Sequence, residues 1–102
     1  MSRMLNSASF EVETVTITAA GTAQSPTTFP VPDGVRVSVM GHPDNTGYIK
    51  VGQTAAKAQA AMGANNVPLA GSVSASFQLT NTNLLFLDAT VSGEKAIVFF
   101  ET

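Results

Sequence analysis

Val35-Arg36-Val37-Ser38-Val39-Met40 decides the fold class. Every second side chain is a valine, so in an extended chain all three valines lie on one side. A helix would scatter them around its axis. The same alternation returns at Val73-Ser74-Ala75-Ser76-Phe77-Gln78-Leu79. Segments of this kind are strands of an antiparallel sheet with one dry face and one wet face.

Working outward, Tyr48-Ile49-Lys50-Val51 reads as a strand with Ile49 and Val51 facing in. Phe10-Glu11-Val12-Glu13-Thr14-Val15-Thr16-Ile17-Thr18 is a strand whose pattern slips, because Phe10 and Val12 share one parity and Val15 and Ile17 the other. A β-bulge near Glu13-Thr14 would bring all four to one face. Thr27-Thr28-Phe29, closed by Pro30 and Pro32, reads as a short edge strand. Turn chemistry marks Asp33-Gly34, the loop 41–47, residues 65–71 around Pro68, and Asn81-Thr82-Asn83. Residues 54–62 are the one run of helix formers, with Thr54 placed to cap it and Gly63 to end it. Nine residues suit a single short helix or an ordered loop.

The C-terminal part is two-sided. Leu84-Leu85-Phe86-Leu87-Asp88-Ala89-Thr90-Val91 and Ala96-Ile97-Val98-Phe99-Phe100 are apolar on both parities, and Ser92-Gly93-Glu94 joins them as a hairpin turn would. In that reading Leu85, Leu87, Ile97 and Phe99 line one side, opposite Leu84, Phe86, Val98 and Phe100. A small domain has one core, so the second side needs a cover. The Ala-rich segment or a loop could supply it, and so could another subunit. The pattern as a whole predicts an all-β antiparallel sandwich of about seven or eight short strands with at most one short helix. The 102 residues form one domain, with residues 1–9 as an N-terminal arm whose Met4 and Leu5 are candidate contacts.

Composition agrees and narrows the function. Val and Thr together number 23 against 7 for Glu and Lys, which is strand rather than helix chemistry. Net charge is −2, and the five basic residues are scattered, which argues against a nucleic-acid groove. There is no Cys and one His, so neither a thiolate nor a multi-histidine metal centre is expected. No signal-peptide pattern or membrane-spanning run is seen, which predicts a soluble chain made in the cytoplasm, without cofactor or membrane partner. Candidate polar sites have simpler readings. His42 reads as a loop residue, Asp44-Asn45-Thr46-Gly47 as turn chemistry rather than a cation site, and Glu11 with Glu13 as a solvent face rather than a glycosidase pair. A single Tyr and no Trp weigh against sugar stacking. No nucleophile, base and orienter assemble, so catalysis is not expected.

Gly41-His42-Pro43-Asp44-Asn45-Thr46-Gly47-Tyr48-Ile49-Lys50-Val51-Gly52 resembles a signature of small virion proteins of tailed bacteriophages: asparagine, threonine, glycine, then a strand ending in valine-glycine. Asn66-Val67-Pro68-Leu69-Ala70 and the closing stretch from Leu84 to Lys95 are similar to two further pieces of the same type. Residues 53–65 depart from it, being longer and richer in Ala. The resemblance implies a decoration (cement) protein or head-fibre base, a homo-oligomer (commonly a trimer) of β-sandwich or jelly-roll-like subunits on the major capsid protein at the virion surface. On these expectations Met4, Leu5, Leu85, Leu87, Ile97 and Phe99 are the candidate capsid or subunit contacts. The alternative is a receptor- or glycan-binding module of a tail fibre or baseplate, reading its ligand through the loops 42–47 and 55–65.

Overall fold

The computed structural model describes residues 10–101. Seven strands form two antiparallel sheets: β1 (Phe10–Thr16), β2 (Arg36–Gly41), β3 (Ile49–Gly52), β4 (Asn66–Leu69), β5 (Ser74–Gln78), β6 (Phe86–Ala89) and β7 (Lys95–Glu101). One sheet runs β1-β7-β2-β5 and the other β4-β3-β6. On the free side of β6, Gln24 makes an isolated bridge to Leu87, with both backbone hydrogen bonds at 2.8 Å. Taken in chain order with that bridge, the segments cross between sheets after β1, after Gln24, after β2, and again around β5 and β6. That wrapping is jelly-roll-like.

The alternating segments do what their pattern requires. Val37 and Val39 of β2, Ile49 and Val51 of β3, and Leu85, Leu87 and Ala89 at and in β6 are all buried. They meet Ala96, Val98 and Phe100 of β7 and Val15 and Ile17 from the first strand and its exit, in one continuous core. Phe77 and Leu79 pack against this core at its margin, where the sandwich opens.

Four expectations change. The first strand has no bulge: its pairing with β7 is unbroken from Phe10↔Glu101 to Thr16↔Lys95. The slip in pattern is therefore kept, with Val15 turned into the core and Phe10 and Val12 turned out, 67% and 54% exposed. β6 and β7 are not a hairpin, since they lie in different sheets and residues 90–94 carry the chain across the gap. The inward sets are consequently Leu85 and Leu87 with Val98 and Phe100, while Ile97 and Phe99 face outward and are half-buried. Residues 66–69 form an edge strand rather than a turn, and Pro68 is tolerated there because an edge leaves one N–H side unpaired. Residues 27–29 form no strand. Phe29 is instead held by backbone and hydroxyl bonds to Thr82, and these close one end of the sandwich.

The Ala-rich stretch is helical over α1 (Ala55–Gln59). Thr54 caps it, its hydroxyl accepting from the Lys57 N–H at 3.1 Å. The helix stops at Ala60, before Gly63, and the Asn66 side chain ties the following turn together by donating to the Lys57 carbonyl and accepting from the Gly63 N–H. Ala58 is buried over Gly52, where a methyl group on the glycine would come within 2.5 Å of the Ala58 nitrogen. α1 thus covers the outer side of the three-stranded sheet. No helix among the described residues is long and apolar enough to cross a membrane.

Candidate functional site

The outer face of the four-stranded sheet has no such cover among the described residues. Residues directly opposite one another in an antiparallel ladder share a face, so the register gives its composition row by row. One row is Val12, Phe99, Ser38 and Ser76, and the next is Thr14, Ile97, Met40 and Ser74. Phe10 and Glu101 bound the face at one end, and Thr16 and Lys95 at the other. The apolar side chains therefore concentrate on β1 and β7, while β2 turns Arg36, Ser38 and Met40 outward and β5 turns Ser74, Ser76 and Gln78. A shallow depression of about 350 Å³ lies against Phe10, Arg36, Ser38, Phe99 and Glu101.

The six sequence candidates divide accordingly. Ile97 and Phe99 lie on this face. Leu85 and Leu87 are 3% and 0% exposed and belong to the core, so neither is a contact residue. Met4 and Leu5 lie outside the described residues. Phe10 and Val12 were missed because the supposed bulge turned them inward. Their shared parity against Val15 and Ile17 was the available signal.

The polar residues of the 41–52 segment are spent on structure. Glu94 is buried and clamps the loop before β3: the Thr46 N–H and hydroxyl donate to its carboxylate at 2.5 and 2.9 Å, and the Gly47 N–H at 3.1 Å. Burial alone would raise the Glu94 pKa, but the hydrogen bonds from Thr46 and Gly47 outweigh it and hold the pKa below 4.5. Gly47 is required because a side chain there would run into Thr90 and Val91. Asn45 donates to the Lys95 carbonyl at 2.7 Å and accepts from the Lys95 N–H at 3.1 Å. His42 accepts through Nδ1 from the Asp44 N–H at 3.1 Å, a local turn bond. The Asn45 and Thr46 oxygens are thus already engaged, and Asp44 points into solvent.

Under α1, Lys50 of β3 sits opposite Asp88 of β6, with Nζ 3.4 Å from Oδ2. Nζ also donates to the Ala60 carbonyl at 3.0 Å, and Asp88 Oδ1 accepts from the Gly21 N–H at 2.9 Å. Oδ2 has no hydrogen bond of good geometry and depends on the ammonium beside it. Glu13 accepts from the Thr27 N–H and hydroxyl at 2.9 and 3.0 Å, which places it at an edge contact and away from Glu11 in role. No three His, Cys, Asp or Glu side chains among the described residues are grouped to hold a metal ion.

A second concavity, about 610 Å³, opens between the sheets where β4 and β5 are edges. Phe77, Leu79, Leu84 and Leu85 floor it, and Arg36, Gln53 and Gln78 line its polar side. Comparison with known protein families, curated proteins and solved structures finds no match to this chain.

Proposed function

We propose that this chain is a capsid decoration (cement) protein of a tailed bacteriophage, a non-enzymatic subunit that works by contact at the virion surface. The observation that supports this most is the outward apolar stripe of Phe10, Val12, Ile97 and Phe99, which suits contact with protein rather than water. The jelly-roll-like wrapping is common in capsid proteins and in lectins, and so agrees without deciding. The resemblance of the 41–52 and 66–70 segments points the same way and implies a homo-oligomer on the major capsid protein. Binding only the assembled shell stabilises that shell by mass action, and several subunits engaged together gain avidity over one.

The test is reconstitution. Purified chain added to shells that lack it is expected to co-sediment with them and raise the temperature at which they break. Shells that neither bind it nor gain stability overturn the proposal. The concavity beside Arg36, Gln53 and Gln78 favours a second reading, a glycan- or receptor-binding module, because side-chain amides over an apolar floor suit sugar hydroxyls and ring faces. A glycan-array signal lost in Gln78→Ala, with no shell binding, would select it.

A further inference from the structure

The occupant of the outer face can be named from the order of its side chains. β7 presents Lys95, Ile97, Phe99 and Glu101 outward, in that order. Laid antiparallel against a copy of itself, this series matches at every position: Lys95 meets Glu101, Ile97 meets Phe99, Phe99 meets Ile97 and Glu101 meets Lys95. Flanking residues agree along the middle of the face, where Val12 then faces Thr14 and Met40 faces Ser38, and the further charge, Arg36, stands beside Glu101 at the end of the sheet. A two-fold axis can relate stacked sheets in another way, running along the strands. That arrangement sets Lys95 on Lys95 and Glu101 on Glu101, and like charges directly opposed are unfavourable.

We infer that the outer face of the β1-β7-β2-β5 sheet is an isologous two-fold contact between two copies of this chain, with the β7 strands crossing antiparallel and a Lys95–Glu101 pair at each end. The inference rests on reading this face as a contact surface, as proposed above, and it names the partner. Isologous contacts require a surface complementary to itself under reversal, and a series ordered cation, branched aliphatic, aromatic, anion has that property. Stacked sheets twist relative to each other by about 30°, which leaves the ends of β7 near their counterparts.

Size sets the strength. Strands of up to seven residues at ~3.4 Å each, in four rows ~4.8 Å apart, make a face of at most roughly 450 Å². Two such faces amount to roughly 900 Å², below the standard size for tight complexes, so the contact belongs with weak, reversible ones. A two-fold contact is compatible with higher assemblies that contain an even number of copies, and incompatible with an isolated trimer.

Sedimentation across a concentration series tests it. The wild-type mass is expected to rise from 10.5 kDa towards about twice that value. Lys95→Glu and Glu101→Lys each place like charges at both ends, and each is expected to raise the concentration of half-association at least about tenfold. The double variant, with the charges exchanged, is expected to restore it. Circular dichroism verifies that all variants stay folded. A wild type that stays at 10.5 kDa throughout, a discrete trimer, single reversals without effect, or a double variant that fails to recover would each overturn the inference. If the wild type is monomeric but still binds shells, with Phe99→Ser abolishing that binding, the face belongs to the shell; the inference then fails while the capsid reading stands.

Discussion

Replacing Lys50 by methionine removes the ammonium that faces Asp88 and keeps the aliphatic stem. The carboxylate left behind is fully buried, with the Gly21 N–H as its remaining donor. At 3.4 Å the gross attraction of the pair is about 5 kcal/mol for an effective dielectric constant of ~20. Desolvation offsets most of that in the intact pair, but the single variant keeps the burial and loses the attraction, which costs about 3–5 kcal/mol. Loss of the bond to the Ala60 carbonyl loosens the end of α1 by about a further 1 kcal/mol. Against a total stability of about 5–15 kcal/mol, Lys50→Met is expected to lose about 4–6 kcal/mol and to lower the melting temperature by roughly 20–40 °C. Adding Asp88→Leu removes the stranded charge, and the double variant is expected to recover about 2 kcal/mol over Lys50→Met. Urea unfolding followed by circular dichroism at neutral pH measures all of these. A Lys50→Met variant within about 1 kcal/mol of wild type, or a double variant no better than the single, would refute the assignment of this pair as a buried support.

Three other outcomes follow from particular contacts. Because the Glu94 pKa is held below its ordinary value in the folded state, the unfolded chain binds the extra proton first on acidification. Its contribution is therefore present above the ordinary pKa of 4.5 and is lost as pH falls through the lower folded value. Wild type should lose stability more steeply than Glu94→Gln below about pH 4.5, and parallel acid limbs in the two unfolding profiles would count against the clamp. Gly52→Ala forces a methyl group against the backbone of Ala58 and is expected to cost about 1–3 kcal/mol, with loss of protection of the α1 amides in hydrogen exchange. Leu87→Ala, at a position with no exposure, should cost about 3–5 kcal/mol, whereas Ile97→Thr on the outer face should cost less than about 1 kcal/mol under monomeric conditions; equal losses would show that the two faces of the C-terminal strands have been exchanged.

Local chemistry was legible in the sequence, and pairing between sheets was not. Alternation found β2 and β3 with their inward residues, because a half-buried strand writes its environment into every second position. It also found β5 with Ala75 and Phe77 partly buried, whereas Val73 falls before that strand and is exposed. The Thr54 cap was equally plain. Strand β4 was read as a turn because Pro68 is a breaker everywhere except at an edge, and edge status is a property of the whole sheet. The closing segments looked like a hairpin because Ser92-Gly93-Glu94 is good turn chemistry, and nothing local says that the chain there steps from one sheet to the other. Two-sided apolarity was read as a need for cover, from the Ala-rich segment or from another subunit. α1 supplies it over the three-stranded sheet, whereas the outward Ile97 and Phe99 have no cover among the described residues. The support beneath the site came from Lys50 with Asp88 and from Glu94 with Thr46, pairs far apart in sequence that no short motif reveals.

The segment that carries the resemblance gains a physical account from the same contacts. Asn45, Thr46 and Gly47 bind the loop before β3 to the crossing that follows β6, and Lys50 and Gly52 seat α1 on the sheet. These residues make the scaffold, and the surface available for contact is carried by β1 and β7 instead.

A reconstruction of the virion at side-chain detail tests the central claim most directly. The chain is expected on the outer capsid surface, with Phe10, Val12, Ile97 and Phe99 covered by a second copy whose β7 runs in the opposite direction. Density for the chain on the tail, or on the capsid with that face bare to solvent, would contradict it.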